Sequence, residues 1–265
     1  VLPDLKGVSD TLAQKVDRFV ESGGTVVAAG QSGFRDAEGE SRDQPAFTCL
    51  GIQRVVRVRD DMRSSYFKLD DKTGLGRSRE TSLLYMDGAY IYAEYAEDVD
   101  QQLKLIPPHM FGPPERCYYT QVTDHPGFSV RQFGAGTAIY IPWHPGRLFH
   151  RQGYQITSDF AGDLLKRIAG LTPVEGLSPM VEATVFEKTD GSGQLLHLVN
   201  GSGHFGVSFF EPMKMTDLEV VLPCEQEPTA VLSLREKQDY DFVWGDGRLQ
   251  ISVPRLELFD AGWIK

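Results

Sequence analysis

The sequence predicts an α/β fold, with a doubly wound domain over residues 1–172 and a small antiparallel β-sandwich over residues 173–265. Three observations support this division. Residues 1–33 follow the order strand, helix, strand and turn, as in a βαβ unit. Residues 171–179, LTPVEGLSP, have the composition of a linker. Beyond them, short alternating segments recur between Gly, Pro and Asp turns, and no helical stripe is found.

The first helix and the strand after it are predicted from their end signals and apolar pattern. Ser9 is a suitable N-cap, and Asp10 places an acidic residue in the first turn, where the helix dipole favours it. The predicted buried stripe consists of Leu12, Val16, Phe19 and Val20. Gly23-Gly24 supplies the C-terminal cap. Residues 25–29, TVVAA, lack polar alternation and predict a parallel strand covered on both faces.

The remaining elements of the first domain are mostly strands. Apolar runs predict strands at Ile52–Val58, Ser65–Leu69, Ser82–Tyr85, Tyr90–Glu94, Phe128–Phe133 and Thr137–Pro142. A helix is predicted over about residues 155–169, whereas Pro145-Gly146 argues against a helix directly after the last strand. In the second domain the predicted strands are Val181–Glu187, Gln194–Asn200, Val207–Phe210, Leu218–Leu222, Ala230–Leu234, Leu249–Val253 and Leu256–Ala261.

Composition excludes several classes of function. The chain has 265 residues and a net charge of −10, which disfavours binding to nucleic acid. No apolar run approaches the ~20 residues that a membrane span needs. Three widely spaced cysteines predict neither disulfides nor a cysteine zinc site, so we expect no metal, no cofactor and a reducing, cytoplasmic location. Residues 1–5 read like the end of a buried strand and the loop after it, without an initiator Met, which predicts a fragment of a longer protein.

The stretch TVVAAGQSGF, residues 25–34, has the form of a strand that runs into a nucleophile elbow. Such an elbow needs small residues two positions before and two positions after the nucleophile. Centred on Ser32, the pattern fails because position 34 is Phe34. Centred on Gln31, it fits with Ala29 and Gly33, but a glutamine amide is not a nucleophile. The stretch therefore predicts an elbow-like turn with an inert residue at its tip, and Ser32 is the less favoured catalytic candidate.

Two further segments carry candidate binding residues. In YIPWHPGRLFHRQGY, His144 and His150 with Arg147 and Arg151 suit an anion or a sugar, and Trp143 could stack on a sugar ring. The favoured interpretation is a polar loop leading to a helix, with Trp143 packed inside. The segment lacks the H-x-x-x-H spacing of a helical metal site. IPPHMFGPPERCYY contains His109 and Glu115 in a loop stiffened by prolines. That loop is expected either to cover a neighbour's cleft or subunit contact, or to be an ordered surface loop.

Several of these segments resemble a known family. VLPDLKGVSDTLAQKVDRFVESGGTVVAAGQSGFRD resembles the glutamine-amidotransferase-like domain known as the beta-galactosidase trimerisation domain, which accompanies TIM-barrel glycoside hydrolases. GAGTAIYIPWHPGRLFHRQGY is similar to the strand and helix that close this domain. LLHLVNGSG and ISVPRLELFDAGWI resemble the small C-terminal β-domain of the same enzymes. The resemblance covers most of the chain and is weakest between about residues 50 and 125.

The resemblance implies a flavodoxin-like, class I amidotransferase-like first domain without glutaminase chemistry. Gln31 occupies the slot of the family's nucleophilic cysteine, and His144-Pro145 is followed by Gly146 instead of the glutamate of the His-Pro-Glu motif. The resemblance also implies a homo-oligomer, in particular a trimer. In related enzymes the catalytic barrel with its two glutamates precedes this domain, so carbohydrate would be met through a part of the protein outside this chain.

The sequence thus predicts a non-catalytic C-terminal part of a glycoside hydrolase of the beta-galactosidase-like clan. It would serve oligomerisation and contribute to a neighbouring subunit's active site. One alternative is a stand-alone amidotransferase-like hydrolase that uses Ser32 or a cysteine, with His144 as the base. Another is a sugar-binding module, in which Trp143, Tyr154 or the pair Tyr118-Tyr119 stacks on a sugar ring.

Overall fold

A computed structural model describes residues 1–69, 75–76, 81–110, 112–113, 115–171 and 174–265. The chain divides into two compact units, Val1–Leu171 and Thr172–Lys265. The boundary predicted at residues 172 and 173 lies outside the described residues. Strands make up 42% of the structure and helices 14%. Within the described ranges, no helix has the length and apolarity to cross a membrane.

In the described residues, the first unit contains ten strands and three α-helices. The strands are β1 (Leu2–Pro3), β2 (Thr25–Ala29), β3 (Ile52–Arg59), β4 (Ser65–Lys68), β5 (Leu83–Met86), β6 (Tyr90–Tyr95), β7 (Asp100–Gln102), β8 (Lys104–Ile106), β9 (Phe128–Phe133) and β10 (Gly136–Ile141). The helices are α1 (Asp10–Glu21), α2 (Pro145–Gln152) and α3 (Gln155–Asp163), which continues as a π-helical turn over Leu164–Ile168. A short 3-10 helix spans Thr48–Leu50.

The central sheet of the first unit is only partly parallel. Its order is β1-β2-β10-β9-β7, and β1, β2 and β10 run parallel, whereas β9 and β7 are joined by antiparallel pairing. The predicted βαβ unit is present as β1, α1 and β2. The described residues between β2 and β10 form seven strands, of which β3 and β6 make one antiparallel pair and β5-β4-β8 make an antiparallel three-stranded sheet. The prediction of an α/β doubly wound domain was therefore too broad, because β3 to β9 pair as antiparallel strands where such a domain alternates strands with helices.

The first helix begins as predicted, but its buried face differs from the prediction. Ser9 caps α1 by accepting a hydrogen bond from the Leu12 N–H, 3.3 Å away. The buried residues of the helix are Ala13 and Val20, whereas Leu12 and Phe19 are exposed. The sequence argued against a helix at Pro145-Gly146, and that prediction was wrong, because α2 begins at Pro145. There a proline is tolerated, since its missing N–H would have no intrahelical partner.

In the second unit, two antiparallel sheets enclose one core, and two further strands form a separate hairpin. The strands of the unit are β11 (Val181–Glu187), β12 (Gln194–Asn200), β13 (His204–Phe205), β14 (Ser208–Phe209), β15 (Met215–Pro223), β16 (Val231–Ser233), β17 (Gln238–Asp239), β18 (Asp241–Gly245), β19 (Arg248–Leu256) and β20 (Phe259–Ile264). The sheets have the orders β11-β12-β20-β16-β17 and β15-β19-β18, and β13 and β14 form the separate two-stranded hairpin. Buried residues of both sheets, such as Leu196 and Ile251, share one hydrophobic cluster, so the two faces pack as in a sandwich.

Part of the segment predicted as a linker belongs to the second unit. Glu175 forms a bridge with Val221, through backbone hydrogen bonds of 2.8 and 3.0 Å. Val174 and Leu177 pack against the core of that unit. These contacts fix residues 174–177 on the sandwich.

Candidate functional site

Three side chains meet where the parallel strands of the central sheet end. Asp4 follows β1, Gln31 follows β2, and His144 follows β10. The Gln31 N–H donates a 2.8 Å hydrogen bond to Asp4 Oδ1, and His144 Nε2 lies 3.0 Å from the same oxygen. The carboxyl ends of neighbouring parallel strands are where open α/β sheets place their ligand sites. We therefore take Asp4, Gln31 and His144 as the candidate site of this unit.

Gly30 allows these groups to come together. Its φ of 62° lies in the left-handed region that favours glycine. A Cβ added there would overlap His144 Nε2 and would lie 2.5 Å from Asp4 Oδ1. The backbone of Gly30 is held by two hydrogen bonds, one from its N–H to Ile141 O at 2.9 Å and one from the Tyr140 hydroxyl to Gly30 O at 2.8 Å. The turn after β2 is thus fixed to β10.

Electrostatics at the site favour an ionised Asp4. Burial works against the charged carboxylate, but the hydrogen bond from Gln31 and the nearby His144 and Lys6 outweigh it and hold the pKa of Asp4 below its usual value. The His144 ring is mostly buried, and its Nε2–H does not point closely enough at Asp4 for a well-formed hydrogen bond. The two side chains therefore lie within ion-pair distance, with Asp4 as the acceptor of a backbone hydrogen bond.

The hydroxyl of Ser32 is used to hold the turn together. Ser32 is completely buried, and its Oγ–H lies between two acceptors, Leu2 O at 2.9 Å and Ala29 O at 2.7 Å. The same oxygen accepts a 3.0 Å hydrogen bond from the Leu5 N–H. A serine nucleophile needs its proton directed at a base and its oxygen open to a substrate. Here the hydroxyl joins the loop after β1 to the turn after β2.

The side chain of Gln31 makes no hydrogen bond within the part of the chain that the structure describes, although it is only partly exposed. Gln31 contributes to the site through its backbone N–H, which binds Asp4. Sequence reasoning missed Asp4 as a site residue. The available signal was its position directly after a short buried strand, where site residues of α/β sheets are commonly found.

Residues 106–119, IPPHMFGPPERCYY, which we call the proline-rich loop, contribute to a separate cleft of about 570 Å³. His109, Arg116, Tyr118 and Tyr119 contribute to its lining. Tyr118 is 64% exposed and Tyr119 is 37% exposed, so both rings can be reached by a ligand. The His109 ring is tilted against Tyr66, with 5.8 Å between the ring centroids. Residues 111 and 114 of this loop lie outside the described residues.

The remaining candidates are dispersed. Glu115 is exposed, and no hydrogen bond or ion pair between described residues joins it or His109 to His144. Trp143 is completely buried, donates from Nε1 to Gly127 O at 2.9 Å and leaves no ring face for a ligand. Arg147 is an exposed residue of α2. Tyr154 is 41% exposed and makes an edge contact with Tyr85.

Among the described residues, no three His, Cys, Asp or Glu side chains lie close enough together to hold a metal ion.

The buried Cys49 lacks the features of a reactive thiol. Burial raises its pKa, and a contact with Asp17 adds to that increase. Because the thiolate is the nucleophilic form, Cys49 has the environment of a structural cysteine.

Comparisons with known proteins give matches in structure alone. The sequence matches no protein-family model, and no curated protein matches it significantly. The alpha-L-fucosidase isoenzyme 2 from Paenibacillus thiaminolyticus superposes with a TM-score of 0.74 at 21% identity, over 100% of this chain and 40% of that one. The beta-galactosidase from Bacillus circulans sp. alkalophilus superposes with a TM-score of 0.64 at 14% identity, over 99% of this chain and 32% of that one. The beta-galactosidase from Rahnella sp. R3 superposes with a TM-score of 0.57 at 18% identity, over 97% of this chain and 31% of that one.

These comparisons establish that the fold of this chain also occurs within chains of glycoside hydrolases. The similarity extends over nearly all of this chain, and at these identities it concerns the fold. The chain spans two fifths or less of the length of the glycosidases that it matches.

Proposed function

We propose that this chain is a non-catalytic C-terminal part of a glycoside hydrolase of the beta-galactosidase-like clan, and that it serves homo-oligomerisation. One observation carries the proposal: the whole chain superposes on glycosidase chains while spanning 40% or less of their length. In this proposal the residues that cleave the glycosidic bond, and with them most contacts to carbohydrate, lie outside this chain.

The first unit is, in this proposal, a flavodoxin-like, amidotransferase-like scaffold of the trimerisation type. The parallel β1–α1–β2 unit and the position of His144 after β10 support that interpretation. Gln31 stands at the tip of the turn where an amidotransferase needs a thiol, and the hydroxyl of the adjacent Ser32 is bound to backbone groups. These features support retention of the scaffold without its chemistry.

The proline-rich loop is the part of this unit that we expect to reach a neighbouring subunit's active site. Met110 is 77% exposed and Tyr118 is 64% exposed, and both line the cleft of that loop. Exposed aromatic side chains on a loop stiffened by prolines offer contact area at a small cost in conformational entropy. His109 and Arg116 add polar groups to the same surface.

Activity and mass measurements on the purified chain test the proposal together. Incubation with a panel of aryl galactosides and fucosides should release no aglycone above the buffer rate. Sedimentation velocity should give a homo-oligomer, with a trimer or a multiple of three expected from the resemblance. Turnover at a rate typical of enzymes, on the order of 1 s⁻¹ or more, would contradict a non-catalytic role, and a monomer at all concentrations would contradict oligomerisation.

A stand-alone hydrolase is less well supported, and it can be tested directly at Ser32. An activated serine reacts with a fluorophosphonate probe, whereas a hydroxyl bound to Leu2 O and Ala29 O should not. Intact-mass analysis after incubation with the probe should therefore show no adduct. An adduct that is lost in the Ser32→Ala variant would establish Ser32 as a nucleophile and would favour the hydrolase.

A second candidate function, sugar binding, is favoured by the exposed Tyr118 and Tyr119 in one cleft. Aromatic faces with nearby hydrogen-bond donors, here supplied by Arg116, are suited to stack on sugar rings. Titration with galactosides and fucosides should detect binding that weakens in Tyr118→Ala and Tyr119→Ala. Tyr154→Ala tests the other exposed stacking candidate, which does not line the cleft, and unchanged binding in this variant would confine the site to the cleft. Equal binding by all variants would exclude this function.

A further inference from the structure

Asn200 is the only asparagine of the chain, and it is followed directly by Gly201. Asparagine is among the thermolabile residues of proteins. It reacts most readily before a glycine, because glycine has no side chain to hinder the approach of its own backbone nitrogen to the preceding amide and adopts many backbone conformations. The pair Asn200-Gly201 therefore has the sequence of a deamidation site, at which asparagine is converted to aspartate or isoaspartate.

The side-chain amide of Asn200 is fully engaged in the folded second unit. Asn200 is the last residue of β12 and is 2% exposed. Its Nδ2 donates 2.7 Å hydrogen bonds to Met213 O and to Glu257 O, and its Oδ1 accepts a 3.1 Å hydrogen bond from the Ser202 N–H. Because a side-chain amide offers two donors and one acceptor oxygen, both polar atoms of this side chain have partners.

The nitrogen that would attack this amide is also held by the fold. The Gly201 N–H donates a 2.7 Å hydrogen bond to Met180 O, and the Asn200 N–H donates one of 2.8 Å to Leu258 O. Cyclisation requires the Gly201 nitrogen to lose its proton and to turn towards Asn200 Cγ. Both changes break hydrogen bonds that the folded unit makes, and such bonds are costly to leave unmade. The fold therefore protects the pair from reaction.

Unfolding of this part of the second unit removes the protection. In the open chain the Gly201 nitrogen forms a bond to Asn200 Cγ, and the Cγ–Nδ2 bond breaks with release of ammonia, which gives a cyclic succinimide. Water then opens the ring at either of its carbonyl groups and leaves aspartate or isoaspartate at position 200. The reaction consumes water and releases ammonia, and it involves no change of oxidation state.

Neither product matches the site that the asparagine fills. A carboxylate has no donors, so Met213 O and Glu257 O would both lose their partner and would face a negative charge. Isoaspartate also adds a methylene group to the backbone at the end of β12, where Asn200 pairs with Val181. Loss of these hydrogen bonds should shift the folding equilibrium of the second unit towards the unfolded state by on the order of 100-fold.

We propose that the pair Asn200-Gly201 is a deamidation site that the fold protects, and that deamidation after unfolding keeps the second unit from regaining its full stability. Chemical modification of the unfolded chain is one of the ways in which unfolding becomes irreversible. The inference concerns how long the folded chain lasts, and it does not depend on the proposed function.

Parallel incubation of the full chain in buffer and in guanidinium chloride, at the same mildly alkaline pH, tests the protection. Peptide mapping by mass spectrometry should find aspartate and isoaspartate accumulating at position 200 in the denatured sample. In the folded sample the same reaction should be slower by on the order of 1,000-fold or more, because it requires prior unfolding. Comparable rates in the two samples, or no reaction at position 200 in the denatured sample, would overturn the proposal.

Gly201→Ala is the matched control for the route of the reaction. Its added methyl group hinders the approach of the backbone nitrogen to Asn200 Cγ, and in the folded unit it would lie 3.2 Å from Met180 O, a close but tolerable contact. The denatured variant should therefore lose most of the modification that denatured wild type acquires in the same time. An undiminished reaction in this variant would contradict attack by the Gly201 nitrogen.

A second measurement tests the effect on folding within one partly modified sample. The sample is transferred to the guanidinium concentration at which half of the unmodified second unit is unfolded, and a short pulse of protease then digests the unfolded molecules. Molecules with aspartate or isoaspartate at position 200 should be strongly depleted among the intact survivors. If the survivors contain the same modified fraction as the starting sample, deamidation does not affect folding and that part of the proposal is wrong.

Discussion

Replacing Gly30 by alanine tests whether the candidate site is packed as described. The substitution places a methyl group at a φ of 62°, which costs about 1–2 kcal/mol for a residue other than glycine. The methyl group would also overlap His144 Nε2 and would lie 2.5 Å from Asp4 Oδ1. Overpacking of this kind costs about 1–3 kcal/mol. We therefore expect the first unit to lose about 2–5 kcal/mol of unfolding free energy.

Gly153→Ala is the matched control for this substitution. Gly153 has a φ of 65°, and an added Cβ there would meet no described atom within 4 Å. It should therefore show only the backbone cost of about 1–2 kcal/mol. Urea unfolding is followed by the fluorescence of Trp143, the buried tryptophan of this unit, with Trp244 and Trp263 replaced by phenylalanine in all variants.

Equal losses in Gly30→Ala and Gly153→Ala would refute the close packing of His144 and Asp4 around Gly30. If the packing is as described, the extra loss at Gly30 should shrink when His144→Ala is added, because the added methyl group then gains space. Such non-additivity is expected for residues in direct contact and not for distant ones.

Three further predictions concern other contacts. Asp4→Asn should be less stable than wild type at neutral pH, where the lowered pKa of ionised Asp4 stabilises the folded wild type. Urea unfolding measured at decreasing pH should show this difference in stability disappear as the pH falls below 3.8 and through the lowered pKa of Asp4. Asn200→Asp should lower the stability of the second unit by about 2–3 kcal/mol, since it removes the donors to two backbone carbonyls. In thermal unfolding, Gln31→Ala should shift the stability of the first unit by less than about 0.5 kcal/mol, whereas Gln31→Pro should destabilise it clearly by removing the N–H that binds Asp4.

Elements that are determined by residues close together in the sequence could be predicted from the sequence. Ser9 caps α1, and Thr25–Ala29 forms β2 with the predicted limits. Both follow from residues within one helical turn or one strand. The buried face of α1 does not, because Ala13 and Val20 pack inward while the larger Phe19 is 56% exposed. Overlapping apolar stripes exist on this helix, and the sheet, not the helix, determines which stripe is covered.

The candidate site could be predicted only in part. Gln31 and His144 were recognised from their motifs, but their common contact with Asp4 depends on the order β1-β2-β10. That order brings together residues from both ends of the first unit. A single sequence contains no local signal that β10, and not β3, lies beside β2. For the same reason Trp143 could be considered a ligand platform until the fold placed it in the core.

The distribution of exposed and engaged side chains agrees with the proposed role of this chain in association. Catalysis needs ionisable groups with free lone pairs and tuned pKa values. At the turn after β2 the carboxylate of Asp4 and the hydroxyl of Ser32 are both engaged by backbone groups. Exposed aromatic side chains lie at Tyr118 in the cleft of the first unit and at Phe205 and Phe209 in the second unit. Aromatic surfaces contribute to binding through contact area and shape, which is what a contact between subunits requires.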